Sequence, residues 1–355
     1  MAFASSSTPV RGRHRRRRLP VAALAVTTVA LAACSAEQQP TAAPTASARC
    51  AVSAQLVPAC GVLLGVTPPD PTASSLAAAD AAAARPYDFV YRFHDLDAAI
   101  PDEVDRSVVD AGRLLHVAIG TRQHQKNGRT YTWREVADGV VDAQLTAQAK
   151  GIAGLKVPVW VTFDHEPDNG TKQPRGSGAD YVEAWRHVHE VFAAAGTTNA
   201  VWVWVVTGAS ESLDRVEQFW PGNDVVDWVS WESYNPAGCR AGRLDPSRWK
   251  SFEAALLVFH DWLTKNGARV GIDLSKPQMI SESGSVKDPS NPDRRAAWYR
   301  DIESALSRYP QIKAVGLWDH TGNNICDYRF SEEAPVQAGV DTLLTSPRLS
   351  QTQVP

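Results

Sequence analysis

The chain has 355 residues, 44% of them hydrophobic, twelve tryptophans and a formal net charge of −3, which suits one barrel-sized domain or two ordinary ones. Near-neutral balance, with no basic stripe outside an N-terminal leader, excludes nucleic acid or another polyanion as the main partner. Repeated Trp beside polar residues suits planar or sugar-ring ligands as well as a core.

Residues 11–18 (RGRHRRRR) are a positively charged segment and residues 19–33 a short apolar one. That is the pattern of a signal peptide over residues 1–33, too short to span a membrane. Leu31-Ala32-Ala33-Cys34 resembles the lipobox of bacterial lipoproteins, which implies Cys34 as the lipidated first residue of the mature chain. The arginines before Leu19 weakly resemble a twin-arginine export signal. Residues 34–55, rich in Ser, Thr, Ala and Pro, read as a flexible tether, and residues 56–350 as the folded domain. The protein is expected outside the cytoplasmic membrane, monomeric and membrane-bound only through its anchor. Besides Cys34 there are Cys50, Cys60, Cys239 and Cys326. An even number in an exported chain implies two disulfides, with three possible connectivities. No His or Cys cluster has zinc spacing, so neither a metal nor another cofactor is expected.

Short apolar runs then alternate with amphipathic ones. Strands are expected at residues 61–66 (GVLLGV), 89–93 (FVYRF), 114–119 (LLHVAI), 157–163, 201–206 (VWVWVV), 225–231 (VVDWVSW), 278–281 and 314–318. Helices are expected at residues 73–84, 104–112, 133–155, 179–195, 213–220, 248–266, 292–309 and 332–344. Eight strands alternating with eight helices is the count for a (β/α)₈ TIM barrel in one catalytic domain. A doubly wound open sheet would want a Gly-rich phosphate loop after an early strand, and the chain has none.

In a barrel, chemistry belongs where the strands end. The polar residues there are His94 and Asp95 after the second strand, His165 and Glu166 after the fourth, and Thr207 after the fifth. Glu232, Tyr234 and Asn235 follow the sixth, Glu282 the seventh, and Trp318, Asp319 and His320 the eighth. Two carboxylates, Glu166 and Glu282, stand out. Such a pair cleaves a glycosidic bond when one acid protonates the leaving oxygen and the other attacks the anomeric carbon or activates water. Glu232 is a possible third acid competing for one of the two roles. Cys239 and Cys326 fall just after strands six and eight on one barrel face, which pairs them and leaves Cys50–Cys60 as a local clip.

Four motifs in order resemble glycoside hydrolase family 26 of clan A. They are Phe163-Asp164-His165-Glu166, the run from Phe219 through Pro221-Gly222 and Val226-Asp227-Trp228 to Tyr234-Asn235, Ile280-Ser281-Glu282-Ser283-Gly284, and Val315-Gly316-Leu317-Trp318. The resemblance covers residues 61–344. It implies a retaining endo-β-glycosidase, with Glu166 the acid/base, Glu282 the nucleophile, Tyr234 holding the nucleophile ionised, His165 steadying the polar network and Trp318 a sugar platform. Trp231, Glu232, Asn235, His94, Asp95, Asp319 and Trp133 are candidate substrate-binding residues. The polysaccharide implied is β-1,4-mannan first, then mixed-linkage β-glucan or β-1,3-xylan. A carbohydrate-binding lipoprotein without catalysis is the rival, though it would have no need of both acids. The chain departs from the family at Pro167-Asp168-Asn169-Gly170, where Met-Asn-Gly is commoner, and at Trp231-Glu232-Ser233, where Gly or Asp is commoner.

Overall fold

A computed structural model of the chain describes residues 50–123, 128–322, 326–349 and 352–353. The expected signal peptide, the lipidation site Cys34 and most of the expected tether lie outside the described residues. Eight parallel strands close into a barrel in chain order. They are β1 (Leu63–Thr67), β2 (Phe89–His94), β3 (Leu114–Ile119), β4 (Val159–Phe163), β5 (Ala200–Val206), β6 (Trp228–Asn235), β7 (Gln278–Ser285) and β8 (Ile312–Trp318). The helices are α1 (Ala73–Ala82), α2 (Glu103–Asp110), α3 (Trp133–Ala137), α4 (Asp142–Leu155), α5 (Gly178–Ala194), α6 (Phe252–Val270), α7 (Asp293–Arg300), α8 (Ile302–Leu306) and α9 (Ala334–Leu344). The (β/α)₈ architecture expected from the alternation is present.

Strand parity sorts the side chains. Leu63, Phe89, Leu114, Trp160, Val203, Trp228, Met279 and Ala314 fill the lower barrel interior. Their sequence neighbours, among them Val161, Trp204, Val229 and Ile280, face the helices. Each strand is buried on both faces, which is why it reads as a continuous apolar run. The interior is tight at Gly316, where a Cβ would lie 2.2 Å from the Ser281 carbonyl oxygen.

Several boundaries differ from the sequence reading. The helix expected over residues 133–155 is broken into α3 and α4 at Gly139, whose φ of 80° suits glycine. The helix expected over 292–309 is likewise split, into α7 and α8. No α-helix follows β5; residues 213–220 contribute only a 3₁₀ turn at Val216–Phe219, after another at Ser210–Ser212. Strands β6 and β7 each run four residues further than expected, into polar sequence. Cys50–Ala51 pairs with Thr352–Gln353 in a short parallel ladder, so the last residues of the stretch expected as tether belong to the fold. Cys50 is bonded to Cys60 and Cys239 to Cys326, the pairing expected.

Candidate active site

The two strand extensions carry the centre of the site. In the β6–β7 ladder Trp231 is opposite Ile280, but Glu232 is opposite Glu282. One extra residue, Ser281, is therefore accommodated on β7. This bulge resets the parity, so that Met279 and Glu282 both face the interior although they are three positions apart. On β6 the alternation is unbroken and delivers Glu232 and Tyr234 to the same mouth. The Tyr234 hydroxyl donates to Glu282 Oε2 at 2.6 Å.

Glu166 arrives by a different device. Asp164 and Glu166 have φ of 41° and 53°, a left-handed conformation that costs a non-glycine residue free energy and persists only where the surroundings enforce it. The enforcing contacts are present. Asp164 is buried and accepts from Trp133 Nε1 at 2.7 Å, from Lys172 Nζ at 3.1 Å and from Arg175 Nη1. Lys172 also donates to the His165 carbonyl. The Glu166 amide donates to the Val205 carbonyl at 2.9 Å, and Asn169 Nδ2 donates to Glu166 Oε2 at 2.9 Å. Asp168 clamps the same turn to the end of β5. It accepts from the Thr207 amide at 2.9 Å and the Thr207 hydroxyl at 2.5 Å, and its carbonyl accepts from Ser212 and Arg215.

Three carboxylates thus converge. Ligand atoms of His165, Glu166 and Glu232 lie within 4.8 Å of one another, a spacing that could also hold a divalent cation. The other such group among the described residues, His94, Asp102 and Asp105, already has a cation in Arg92, which bonds both acids. Burial pushes Glu232 well above the usual carboxylate range, with the charges of Glu166 and Glu282 adding to it. Burial and then Glu166 push Glu282 up to about 8, against the pull of Tyr234 and Arg240. Glu166 is buried too, yet His165, the hydrogen bond from Glu232, Lys172 and Asn169 hold it below the usual range. Burial, then Lys172, bring His165 down to about 4, so its ring is neutral near pH 7.

These groups line a cleft of about 600 Å³ that also takes in Trp318, Tyr328 and Arg240. Trp318 meets the edge of Phe93, ring centroids 5.7 Å apart, and Phe93 meets His165 at 4.9 Å. Phe93 is 36% exposed, so an aromatic wall stands beside the acids.

Glu166, Glu282, Tyr234, His165, Glu232 and Trp318 are therefore gathered at one mouth. The other candidates are not. Trp231 has the wrong parity: it is fully buried outside the barrel against Phe259 of α6. Asn235 is buried and bonds Ser285 Oγ and the Lys250 amide. His94 points outward to Asp105, 3.2 Å away. Asp319 is buried and accepts from the Phe330 and Ser331 amides. Trp133 packs against Tyr181 and Phe219 and reaches the site only through Asp164. Asp95 lines a smaller hollow of about 280 Å³ with Phe93, His165 and Lys172. The sequence motifs mark none of Phe93, Arg240 and Tyr328 as site residues, and Asp168 only as a departure from the family. Parity could have found Phe93, because Phe89, Tyr91 and Phe93 alternate on the interior side.

No family model matches the chain. It is 24% identical over 212 residues to endoglucanase H of Acetivibrio thermocellus (57% of this chain, 22% of that protein). It is 25% identical over 171 residues to a β-1,3-xylanase, TXYA, of a Vibrio species (46% and 34%). It is 27% identical over 111 residues to mannan endo-1,4-β-mannosidase A and B of Caldalkalibacillus mannanilyticus (29% and 21%). The matches span about a fifth to a third of the length of these relatives. Among solved structures, the glycoside hydrolase family 26 domain of an endo-β-mannanase/endo-β-glucanase from Prevotella bryantii superposes with a TM-score of 0.58 at 12% identity. It covers 83% of this chain and 92% of that one. The catalytic domain of a family 26 endo-β-1,4-mannanase from Bacillus sp. JAMB-750 gives 0.59 at 13% identity, over 81% and 87%. The family whose motifs the sequence resembles is thus the family of these structural neighbours, and the fold is theirs.

Proposed function

We propose that this chain is a retaining endo-β-glycosidase of the family 26 kind, acting on a β-linked polysaccharide, with β-1,4-mannan the first candidate. The observation that carries the reading is the pairing of Glu282, hydrogen-bonded by Tyr234, with Glu166, held in a strained turn at the same mouth. Names of the relatives support a β-glycan substrate, and those of the structural neighbours favour mannan.

Glu166 gives its proton to the glycosidic oxygen as the carboxylate of Glu282 attacks the anomeric carbon, forming a glycosyl ester. The Glu166 carboxylate then takes a proton from water, whose oxygen attacks that carbon and frees Glu282. In the free site the charge rests on Glu166, held below the usual range, and the proton on Glu282; turnover uses the opposite distribution, which the coupling of the two acids allows. The negative charge of Glu166 is what raises Glu282 most after burial, so a proton on Glu166 lowers Glu282. Proton on one and charge on the other support each other. Glu232, which burial makes reluctant to ionise, keeps a proton beside Glu166 and can return it there. Trp318 and Phe93 offer faces for sugar rings.

Two disulfides support an exported protein, and none of the described helices is long and apolar enough to cross a membrane. Attachment would then rest on Cys34, and Cys34→Ser should release the protein from membranes; retention there contradicts the anchor. The activity is tested with the folded chain on mannan, mixed-linkage β-glucan and β-1,3-xylan, reading oligosaccharide products. Short oligosaccharides from one of them are expected. No product from any β-glycan overturns the reading.

A further inference from the structure

Beside the cleft lies a second hollow of about 570 Å³, a volume in the range that holds small ligands. It is continuous with the catalytic mouth, because Glu232, Tyr234, Thr207, Glu211 and Arg240 line both. Its outer wall adds Arg248 and Lys250. We propose that this hollow is a subsite for a sugar carrying a carboxylate, so that the preferred substrate is an acidic, uronate-bearing β-glycan. This rests on the glycosidase reading and extends it to substrate class.

Six arginines lie in residues 11–18 and no acid precedes residue 34, so the remainder of the chain carries a formal −9. Three cations around one hollow on so acidic a body are unexpected. Among the described residues none of Arg240, Arg248 and Lys250 forms an ion pair with a carboxylate, unlike Arg186, which pairs with Asp224, and Arg308, which pairs with Glu253. Two acids share the walls. Burial pushes Glu232 well above the usual carboxylate range, which leaves Glu211 as the one opposing charge on the walls. The hollow is net positive.

The cations also stand on fixed backbone. Arg240 follows Cys239, which is bonded to Cys326, and its guanidinium sits 5.8 Å from the Tyr234 ring centroid. The Lys250 amide donates to Asn235 Oδ1 at 3.0 Å and its carbonyl accepts from Trp298 Nε1 at 3.2 Å. Arg248 closes a 3₁₀ turn at Pro246–Arg248, capped by Asp245. Arginine offers a planar fork that matches a carboxylate, and lysine a point charge. Placed next to Tyr234, they would bind the acidic substituent of a ring adjacent to the scission point. The three are spread over eleven residues and form no basic run, which is why the sequence alone did not disclose them.

The test uses the folded chain, with methyl β-D-glucuronide and methyl β-D-glucoside as probes, binding being followed by saturation-transfer NMR. The glucuronide is expected to bind at least tenfold more tightly, to weaken as NaCl rises from 50 to 500 mM, and to lose its advantage in Arg248→Ala/Lys250→Ala. Arg248→Lys should keep part of it. In parallel, the ratio of kcat/KM on carboxymethylated over unmodified mannan should fall about tenfold in the double variant. Equal binding of the two glycosides, or a double variant that keeps the preference, overturns the subsite. Glucuronide binding without cleavage of any polymer overturns the glycosidase reading and leaves the subsite standing.

Discussion

The hydroxyl of Tyr234 on β6 donates a 2.6 Å hydrogen bond to Oε2 of Glu282 on β7, across a ladder whose register shifts between them and the strand cores. The bond stabilises the carboxylate and not the acid. Removing it in Tyr234→Phe should therefore raise the Glu282 pKa, since a hydrogen bond to a charged group contributes about 1.5–3 kcal/mol, or roughly one to two pH units. The acid limb of the kcat/KM profile is expected to move to higher pH by that amount, with activity at neutral pH down about 10- to 100-fold. An unmoved limb would show that Tyr234 does not act on Glu282.

Asp168 holds the turn bearing Glu166. Burial first, against its bonds from Thr207, pushes its carboxyl up to about 6 from a free value of 3.8. A raised carboxyl binds its proton more tightly in the fold. That contribution is complete below about pH 3.8 and is lost as pH rises through 6. Asp168→Asn removes the titration while keeping an acceptor for the Thr207 amide. The wild type should then gain stability over this variant between pH 7 and pH 4, by up to about 3 kcal/mol, measured by denaturant unfolding at the two pH values. A constant difference would mean that Asp168 does not titrate there. Asp168→Ala is expected to lower kcat as well, because Glu166 loses its clamp.

Trp231 within β6 and Trp318 at the end of β8 should separate cleanly. Trp318, in the cleft, can be changed to Ala with loss of polysaccharide binding and little change in melting temperature. Trp231, buried against Phe259, should cost about 3–5 kcal/mol of stability when cut to Ala. The same effect from both would contradict the placement of one inside the mouth and the other behind the barrel wall.

The architecture was legible because buried parallel strands are continuous apolar runs, and eight of them alternate with helical segments. The pair Glu166 and Glu282 was legible because each closes a buried apolar run within a motif that resembles family 26. Less was legible around them. Polar character at a strand end does not say which way a side chain points: His94, Asn235 and Trp231 were chosen on type and position, and parity turns all three away. The bulge at Ser281, which brings Glu282 inward, has no signature in a run of Ser and Glu. Helix α4 and the 3₁₀ turns after β5 depend on a glycine and on tertiary packing, which periodicity does not report.

Cys239–Cys326 closes a loop of 87 residues and ties the turn bearing Arg240 to the segment before Tyr328. Chain-entropy arguments put such a cross-link at about 4 kcal/mol. Cys239→Ala/Cys326→Ala should lose about that much in denaturant unfolding and raise KM, as the rim residues Arg240 and Tyr328 lose their common support. A KM unchanged in a destabilised variant would place the disulfide outside substrate binding.

In the proposed reaction Glu282 forms the bond to the sugar. Glu282→Ala, given an aryl β-glycoside with a good leaving group, should be inactive alone. With sodium azide it should recover turnover and release the α-glycosyl azide, identified by its one-bond C1–H1 coupling, because azide enters the space that the carboxylate vacates. Wild-type rates in Glu282→Ala without azide, or a β-configured azide product, would contradict the assignment.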